Sequence, residues 1–288
     1  MQKTFAAIVL VPVLLVAAGC GGSSNDTSGS SGAGTEASTA SCTPGQLQTH
    51  TAGKLTVATD KPAYPPYFEN DDPTNGEGFE SAVAYAIGKQ LGYKPADVEW
   101  TVEPFNASFA PGPKDFDFDV NEISITPQRE NAVDFSAPYY TANQAIVVLK
   151  SSDAAGAKSL AELKGLNIGV QVGTTSLEAV EDVIGPDSKP EVFNSSNDVI
   201  QALKNEQIDA VVVDLPTALY LTAAQVPAAT VVGQFEAPGG DQWGALLAKE
   251  SPLTACVSEA IEELESSGEL DTMNKRWMSQ AAGAPELR

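Results

Sequence analysis

Charged and hydroxyl side chains that could bind a small charged solute stand at the ends of several predicted strands. Arg129, one of only three arginines in the chain, follows Ser124 in a run that leaves one such strand. A guanidinium held there could grip a carboxylate through two parallel hydrogen bonds. The alternative is a surface arginine paired with Glu130 or Asp134, and spacing alone does not decide between the two.

A second group of donors closes the predicted strand 167–172. Gly173, Thr174 and Thr175 bring backbone N–H groups and hydroxyls to the start of a predicted helix, where an anion could bind. The run from Thr175 to Glu178 also has the spacing of a capping box, and capping alone would explain it.

Acidic residues follow two further strands and could bind a cation. Asp60 comes directly after the apolar run 55–59, and Asp214 directly after the run 210–213. Each could instead cap the segment that follows it. Close to Asp60, the stiff run Tyr64–Phe68 can present an aromatic ring face.

The composition excludes several classes of function. The chain has 288 residues, with 38 Asp and Glu against 16 Lys and Arg and a net charge of −22, so nucleic acid and anionic lipid are not expected partners. His50 is the only histidine, so a Ser-His-Asp triad, a His-rich zinc site or a His general base would have to be built around that one residue. We expect neither a metal nor a cofactor.

The elements that must position these residues are short strands alternating with helices, which is typical of an α/β fold with mostly parallel sheets. The predicted strands are 55–59, 98–102, 116–123, 145–149, 167–172, 191–193, 210–213, 230–232 and 243–247. The predicted helices are 79–91, 177–184, 198–204, 216–224 and 252–265, the last with Ser251 as its N-cap. So many strands indicate two α/β lobes rather than one sheet.

The N-terminal residues 1–20 have the features of a signal peptide. Lys3 precedes an apolar run from 5 to 18 that is too short to span a bilayer. The run ends at Cys20 in the sequence VAAGC, which resembles a bacterial lipobox whose cysteine is acylated after cleavage; an ordinary secreted protein is the alternative. Residues 21–50 are rich in Gly, Ser and Thr and are expected to form a flexible tether.

The cysteines point to a disulfide. Lipidation of Cys20 would leave Cys42 and Cys256 as a pair in an oxidising compartment. We predict that this pair pins the start of the folded domain to its last helices. Cys256 also fits the apolar stripe of a helix, so two unrelated free thiols are the alternative.

Several short sequence blocks occur in a characteristic order. They are 58–60 with 64–66, 78–80, 124–127 with Arg129, 133–136 with 138–140, 163–165 leading to 173–175, 208–210 with Asp214, and Gly268 with Trp277. In this order they resemble the family-3 solute-binding proteins of amino-acid ABC importers, along residues 54–278. The resemblance implies a type II periplasmic-binding-protein fold, with two Rossmann-like lobes joined by two hinge strands. We expect residues 51–143 and 237–288 in lobe 1 and residues 144–236 in lobe 2, with crossings near 142–145 and 235–238.

The resemblance also implies a binding site for an amino acid. The residues it implies are Arg129 with Ser124, Thr174 and Thr175 for the α-carboxylate, Asp214 for the α-ammonium, Tyr64 and Phe105 as aromatic walls, and Asp60, Asn121 and Gln171 for side-chain contacts. A zwitterion needs one fixed cation and one fixed anion close together, which this set supplies.

Two departures from the family bear on this site. Two prolines and a glycine in residues 108–113 predict a loop beside Phe105 where relatives have a helix. Glu122 stands where relatives carry a small or apolar residue. If Glu122 faces the cleft, the site has an acidic excess that favours lysine, arginine or ornithine over uncharged ligands such as glutamine. In the alternative, Glu122 turns away to pair with a lysine or the backbone.

The implied function is capture of an amino acid outside the membrane by hinge closure, followed by delivery to an ABC permease. We expect a monomer held by a lipid on Cys20 at the outer face of the cell membrane, or in the periplasm, and no catalysis. The alternatives are a ligand-sensing module, a dehydratase-type enzyme on the same fold, and a structural surface lipoprotein.

Overall fold

The structure, a computed structural model, describes residue 42, residues 45–278 and residues 284–288. The predicted signal peptide, the lipidation site Cys20 and most of the predicted tether lie outside the described residues. Within the described part of the chain, no helix is both long enough and apolar enough to cross a membrane.

Ten strands and eight helices form the described fold. The strands are β1 (Leu55–Thr59), β2 (Val98–Val102), β3 (Phe118–Asp119), β4 (Val133–Ala142), β5 (Gln144–Leu149), β6 (Ile168–Gln171), β7 (Glu191–Phe193), β8 (Ala210–Asp214), β9 (Ala229–Phe235) and β10 (Asp241–Ala248). The helices are α1 (Phe79–Gln90), α2 (Phe105–Ser108), α3 (Pro127–Glu130), α4 (Thr175–Ala179), α5 (Ser196–Lys204), α6 (Leu215–Tyr220), α7 (Thr254–Ser266) and α8 (Glu269–Trp277). Helices α4 and α6 continue as π-helical turns, Val180–Ile184 and Leu221–Gln225. Short 3-10 turns occupy Pro73–Asn75, Pro95–Asp97, Asp153–Gly156 and Leu160–Leu163.

The strands form two sheets, one in each lobe. The first has the order β2-β1-β3-β10-β4 and the second the order β7-β6-β8-β5-β9. The chain passes from the first sheet to the second between β4 and β5, and returns between β9 and β10. The predicted two-lobed α/β fold with two crossings is therefore confirmed. Both sheets are mixed rather than mostly parallel, because β10 runs antiparallel in the first sheet and β5 runs antiparallel in the second.

Each lobe has its own apolar core. In the second lobe, strand β5 is buried on both faces: Ile146 and Val148 pack into one cluster, whereas Ala145 and Val147 pack into another. Helices cover both sides, which explains why this strand is apolar throughout. In the first lobe, Trp243 is fully buried and contacts both Tyr67 and Tyr140. Burial of one such side chain is worth about 1.5–3 kcal/mol.

The N-terminal part of the described chain is attached to the first lobe. Cys42 and Cys256 form a disulfide with a sulfur–sulfur distance of 2.05 Å, as predicted. Leu47 packs against the core of the first lobe, and the backbone N–H of His50 donates to Asp117 Oδ1 at 2.6 Å. Although residue 50 was the expected end of the tether, contacts with the lobe therefore begin earlier in the chain.

The last described residues lie on the second lobe, although residues 237–288 were expected in the first. The backbone N–H of Gln234 on β9 donates to the Pro285 carbonyl at 2.8 Å, and that of Leu287 donates to the Gln234 carbonyl at 2.8 Å. Leu287 is buried in the second lobe's core. A Cβ at Gly233 would lie 2.5 Å from Leu287 Cγ, so this position requires glycine. The remaining domain boundaries stay a prediction.

Several elements of the structure differ from the predicted ones, and helix α8 was not predicted at all. Strand β4 was not predicted, because Pro138 and polar residues interrupt its apolar pattern; it pairs with β10 around irregularities next to Gly244 that accommodate the proline. Helix α7 begins at Thr254 rather than beside Ser251, since the Ser251 hydroxyl accepts from Leu253 N–H at 3.3 Å in a preceding turn. Strand β3 is much shorter than the predicted 116–123.

Candidate functional site

A cavity of about 570 Å³ lies between the two lobes. Ten of the eleven residues predicted to bind ligand line it: Asp60, Tyr64, Phe105, Asn121, Glu122, Ser124, Gln171, Thr174, Thr175 and Asp214. A volume of this size is typical of a small-molecule site. The structure therefore brings together residues that are far apart in the sequence. Asp60 and Asp214, for example, are separated by 154 positions.

The fold places these residues at the carboxyl ends of strands. Asp60 follows β1, Gln171 ends β6 and Asp214 ends β8. Parallel strands of an open sheet end at one edge, where ligand-binding crevices form. The Asp214 carboxyl makes no capping hydrogen bond to α6, so capping does not explain this residue.

Arg129 lies behind the cavity wall and does not line it. Its side chain is buried, with Nη1 donating to the Ser124 carbonyl at 2.7 Å and Nη2 donating to the Gly173 carbonyl at 2.9 Å. The guanidinium carbon also lies 4.6 Å from the centre of the Phe109 ring. Arg129 is thus not the surface arginine of the alternative interpretation, and Asp134 pairs with Lys249 at 3.0 Å instead.

The backbone conformation and the closeness of Asn106 explain the glycine at position 173. Gly173 has a φ of +76°, and a Cβ there would lie 2.5 Å from Asn106 Oδ1. The Gly173 carbonyl, on the second lobe, accepts a hydrogen bond from Arg129 on the first lobe and so links the two lobes. Burial lowers the pKa of the Arg129 guanidinium, while Asp241, Glu178 and Asp214 raise it, so the group is a cation at neutral pH.

The capping residue of α4 is Thr174, not Thr175 as the capping-box spacing predicted. Thr174 Oγ1 accepts from Leu177 N–H at 3.3 Å. The hydroxyl of Thr175 is therefore available to the cleft, where it donates to Asp241 Oδ2 at 3.0 Å and meets Ser124 Oγ at 3.2 Å.

Asp214 is held by an amide from the crossing strand. Gln144 Nε2 donates to Asp214 Oδ1 at 2.6 Å and to Asp241 Oδ2 at 2.7 Å, and Gln144 Oε1 accepts from Ser176 Oγ at 2.6 Å. Burial raises the pKa of the Asp214 carboxyl well above its usual range, and the charge of Asp241 acts in the same direction. Gln144 and Arg129 lower that pKa in part.

Glu122 is one of the residues that line the cavity, and its carboxyl also meets that of Glu80. It has a φ of +48°, in the left-handed region that a residue with a side chain rarely adopts. The backbone N–H of Glu122 donates to Glu80 Oε1 at 2.7 Å, which holds this turn in place.

The cavity wall is completed by aromatic and amide side chains. Tyr64 of the first lobe donates to Asn197 Oδ1 of the second at 2.5 Å. Phe105 packs edge-on against Phe109, and residues beyond α2 form turns and bends, as the prolines of 108–113 predicted. Gln171 Oε1 accepts from Ser196 Oγ at 2.5 Å. The Nδ2 group of Asn121 has no hydrogen-bond partner within the described structure.

Acidic groups dominate the charge of the cavity. Asp60, Glu122 and Asp214 line it, together with one cation, Lys61. Lys61 Nζ lies 3.6 Å from Asp71 Oδ2 at an exposed position. A bound cation would therefore meet an excess of carboxyl groups.

The sequence patterns indicated no role for Glu80, Gln144, Asp241 or Asn197. Glu80 lay in the recognised block 78–80, which marked its position but not its contact with Glu122. Gln144 is the first residue of β5 and Asp241 is the first residue of β10. Neither follows the end of a strand, where the predicted site residues lie.

Comparisons with known proteins agree with this geometry. Residues 55–280 match the family described as bacterial extracellular solute-binding proteins, family 3. The arginine-binding extracellular protein ArtP of Bacillus subtilis (strain 168) is 32% identical over 78% of this chain and 86% of its own length. The L-cystine-binding protein TcyJ of Escherichia coli (strain K12) is 29% identical over 74% of this chain and 79% of its own.

A solved structure shares the fold. An ancestral arginine-binding protein bound to glutamine superimposes with a TM-score of 0.66 at 34% identity, covering 79% of this chain and 99% of the other. These relatives are binding proteins rather than enzymes.

Proposed function

This chain belongs to the bacterial extracellular solute-binding proteins of family 3, and from that membership and the cleft we propose that it captures an amino acid with a cationic side chain for an ABC importer. The observation that carries the choice of ligand is the acidic cavity, in which Asp60, Glu122 and Asp214 face one exposed lysine. Lysine, arginine and ornithine each carry two positive charges and one negative charge. Such a ligand offsets more of the acidic excess than glutamine does.

The backbone groups of the ligand are assigned to the end of the cavity near Arg129 and Asp214. The charge of each of these two residues acts on the pKa of the other. We assign the α-ammonium to Asp214 and the α-carboxylate to Arg129. Since Arg129 Nη2 bonds the Gly173 carbonyl in this structure, the carboxylate would take that carbonyl's place, with Ser124 and Thr175 hydroxyls beside it.

The ligand's side chain is assigned to Glu122 and Asp60, with Tyr64 over its aliphatic part and Phe105 as a second aromatic wall. Asn121, Gln171 and Thr174 are assigned polar contacts. A long alkyl stem ending in a cation suits a cavity with aromatic walls and carboxyl groups.

Ligand capture follows from closure of the lobes. Tyr67 Oη lies 2.8 Å from Thr217 Oγ1, and the Tyr64–Asn197 bond also joins the two lobes. A ligand that contacts both lobes binds the closed arrangement better, so it shifts the population towards closure. The closed form then delivers the ligand to a membrane permease, and the protein acts as a monomer.

A panel of thermal-shift measurements tests the ligand class. Lysine, arginine and ornithine are expected to raise the Tm of the purified protein, since a ligand at a hundredfold excess over its Kd stabilises the native state by ~2.7 kcal/mol. Glutamine is expected to raise it less. A shift with glutamine or glutamate and none with the three basic amino acids would overturn the assignment.

Anchoring at Cys20 is proposed from the lipobox-like sequence alone. Metabolic labelling with a fatty-acid analogue in a bacterial host is expected to mark the protein, and a Cys20→Ala variant is expected to lose the label. Equal labelling of both would contradict a lipid at this position.

A further inference from the structure

A second buried carboxyl lies directly behind Glu122. Glu80, on helix α1, has 0% of its surface exposed, and its Oε1 accepts from the backbone N–H of Glu122 at 2.7 Å and from the hydroxyl of Tyr139. Its Oε2 has no hydrogen-bond partner within the described residues. The buried oxygen thus lacks a donor that would stabilise a full negative charge.

The surroundings of this pair are acidic on every side. Titratable groups from several elements act on Glu80 or Glu122. They are Asp60 after β1, Tyr67 before α1, Asp119 on β3, Tyr139 on β4 and Asp214 on β8. All of them are acids or phenols. Asp119 is itself fully buried, and neither of its carboxyl oxygens has a partner in the described structure.

Two carboxyl groups in contact at a buried site cannot both ionise without a large electrostatic cost. Burial raises the pKa of Glu80 to about 7. Burial raises the pKa of Glu122 well above its usual range, and the neighbouring carboxyls of Glu80 and Asp214 act in the same direction. The pair therefore holds at least one proton when no cation is present.

We propose that Glu80 and Glu122 keep at least one proton between them in the empty cleft and that the cationic side chain of a bound ligand displaces one, so that binding releases a proton. The inference rests on the proposed function, because it requires a cationic ligand at Glu122. The released proton passes to the solvent, and the second negative charge of the pair is balanced by the ligand. Glu80 acts through Glu122 and is a positioning residue, since it does not line the cavity.

The proposal sets the sign of the pH dependence. Below the pKa of the pair, protons compete with the ligand's cation, so the apparent affinity rises by up to about tenfold for each unit of rising pH. Once the pH exceeds the raised pKa values of both carboxyls, the pair is already ionised and the affinity becomes independent of pH. An uncharged ligand leaves the proton in place and shows no such rise.

Titration calorimetry in buffers of different ionisation enthalpy measures the proton directly. The pKa of Glu80 is about 7, so the measurement is made at about pH 6. The observed enthalpy of lysine binding is expected to change with the ionisation enthalpy of the buffer, and the slope should correspond to about one released proton. The Glu80→Gln variant keeps an oxygen that accepts from Glu122 and Tyr139, and is expected to bind lysine with a weaker buffer dependence, because the Glu80 carboxyl no longer raises the pKa of Glu122. Glu99→Gln, an exposed site on β2, is the control and is expected to behave as the parent protein.

Three outcomes would overturn the proposal. Lysine binding with the same enthalpy in all buffers would refute proton release, while leaving the proposed function intact. An unchanged buffer dependence in Glu80→Gln would assign the proton to another group. Absence of binding by any basic amino acid would refute the proposed function itself, and the proton release with it.

A second variant covers the case in which Glu80→Gln fails to fold. Tyr139→Phe removes the phenol that donates to Glu80, and this hydrogen bond lowers the pKa of Glu80. The pH range of proton release is therefore expected to move upward in Tyr139→Phe. An unmoved range would count against Glu80 as a holder of the proton.

Discussion

The hydroxyl of Tyr64 on the first lobe donates to Asn197 Oδ1 on the second lobe at 2.5 Å, over a cavity that both residues line. The ring of Tyr64 also lies 6.3 Å from that of Tyr220 on the second lobe. One side chain therefore closes the cleft by a hydrogen bond and by an aromatic contact.

Replacing Tyr64 by Phe is expected to speed ligand release. The change keeps the ring but removes the bond between the lobes, which is worth about 1 kcal/mol, or roughly fivefold in affinity. Stopped-flow fluorescence measures the dissociation rate. Tyr85→Phe is the matched control, because the Tyr85 hydroxyl donates to the Thr74 carbonyl at 2.9 Å within one lobe. Equal release rates in parent and Tyr64→Phe would show that this bond does not hold the cleft closed.

Replacing Arg129 by Ala is expected to abolish binding of α-amino acids. The change removes the proposed partner of the carboxylate and leaves the Ser124 and Gly173 carbonyls without their donor, a loss of about 2–5 kcal/mol. Calorimetry measures the loss of affinity. Arg276→Ala, which removes an arginine 4.5 Å from the Trp277 ring on α8, is the control and is expected to bind normally. Unchanged affinity in Arg129→Ala would remove the centre of the proposed site.

The stability of the empty protein is expected to fall as the pH rises. The pKa of Glu80 is raised from 4.5 to about 7 in the folded state, so between these values the folded protein binds more protons than the unfolded chain. Stability is therefore lost across this window, by about 3 kcal/mol in total.

Urea unfolding across that pH range measures the effect. Glu80→Gln is expected to flatten the dependence and to be more stable than the parent above the window, whereas Glu99→Gln should keep the parent's slope. Stability that rises through the window in the parent would contradict a raised pKa at Glu80.

Loss of the disulfide is expected to destabilise the protein by about 2–5 kcal/mol. The cysteines are 214 positions apart, so their bond closes a long loop in the unfolded chain. A variant with both Cys42→Ser and Cys256→Ser measures the effect by urea unfolding without leaving a free thiol. The reduced parent should match this variant, and a difference between the two would point to a cost of the serines themselves.

Local sequence patterns predicted the strands that are buried and apolar. Strand β1, which is buried throughout, was predicted to the residue, and so were β2 and β7, in which Val, Trp or Phe stand among polar residues and most positions are exposed or half-buried. Strand β4 was missed because Pro138 interrupts its pattern. The strand forms nevertheless, since Pro138 lies opposite Gly244 of β10, where the pairing is irregular.

Local sequence patterns likewise predicted only part of the candidate site. Ten predicted ligand residues line the cavity because strand ends of an α/β lobe meet at one edge. The partners that determine their chemistry were not predictable from spacing. Glu80 meets Glu122 across 42 positions of sequence, and Gln144 meets Asp241 across 97. The position of Arg129 behind the wall likewise depends on Gly173, a residue of the other lobe.

The docked segment of residues 284–288 has a consequence for association between copies of the chain. Strand β9 is an edge of the second sheet, with β5 on its other side. An open edge offers free N–H and C=O groups to any passing strand, which is a common route to aggregation. Here the N–H and C=O groups of Gln234 are already bonded to Pro285 and Leu287. Residues 284–288 therefore cover the sheet edge at Gln234 and oppose the addition of another strand there.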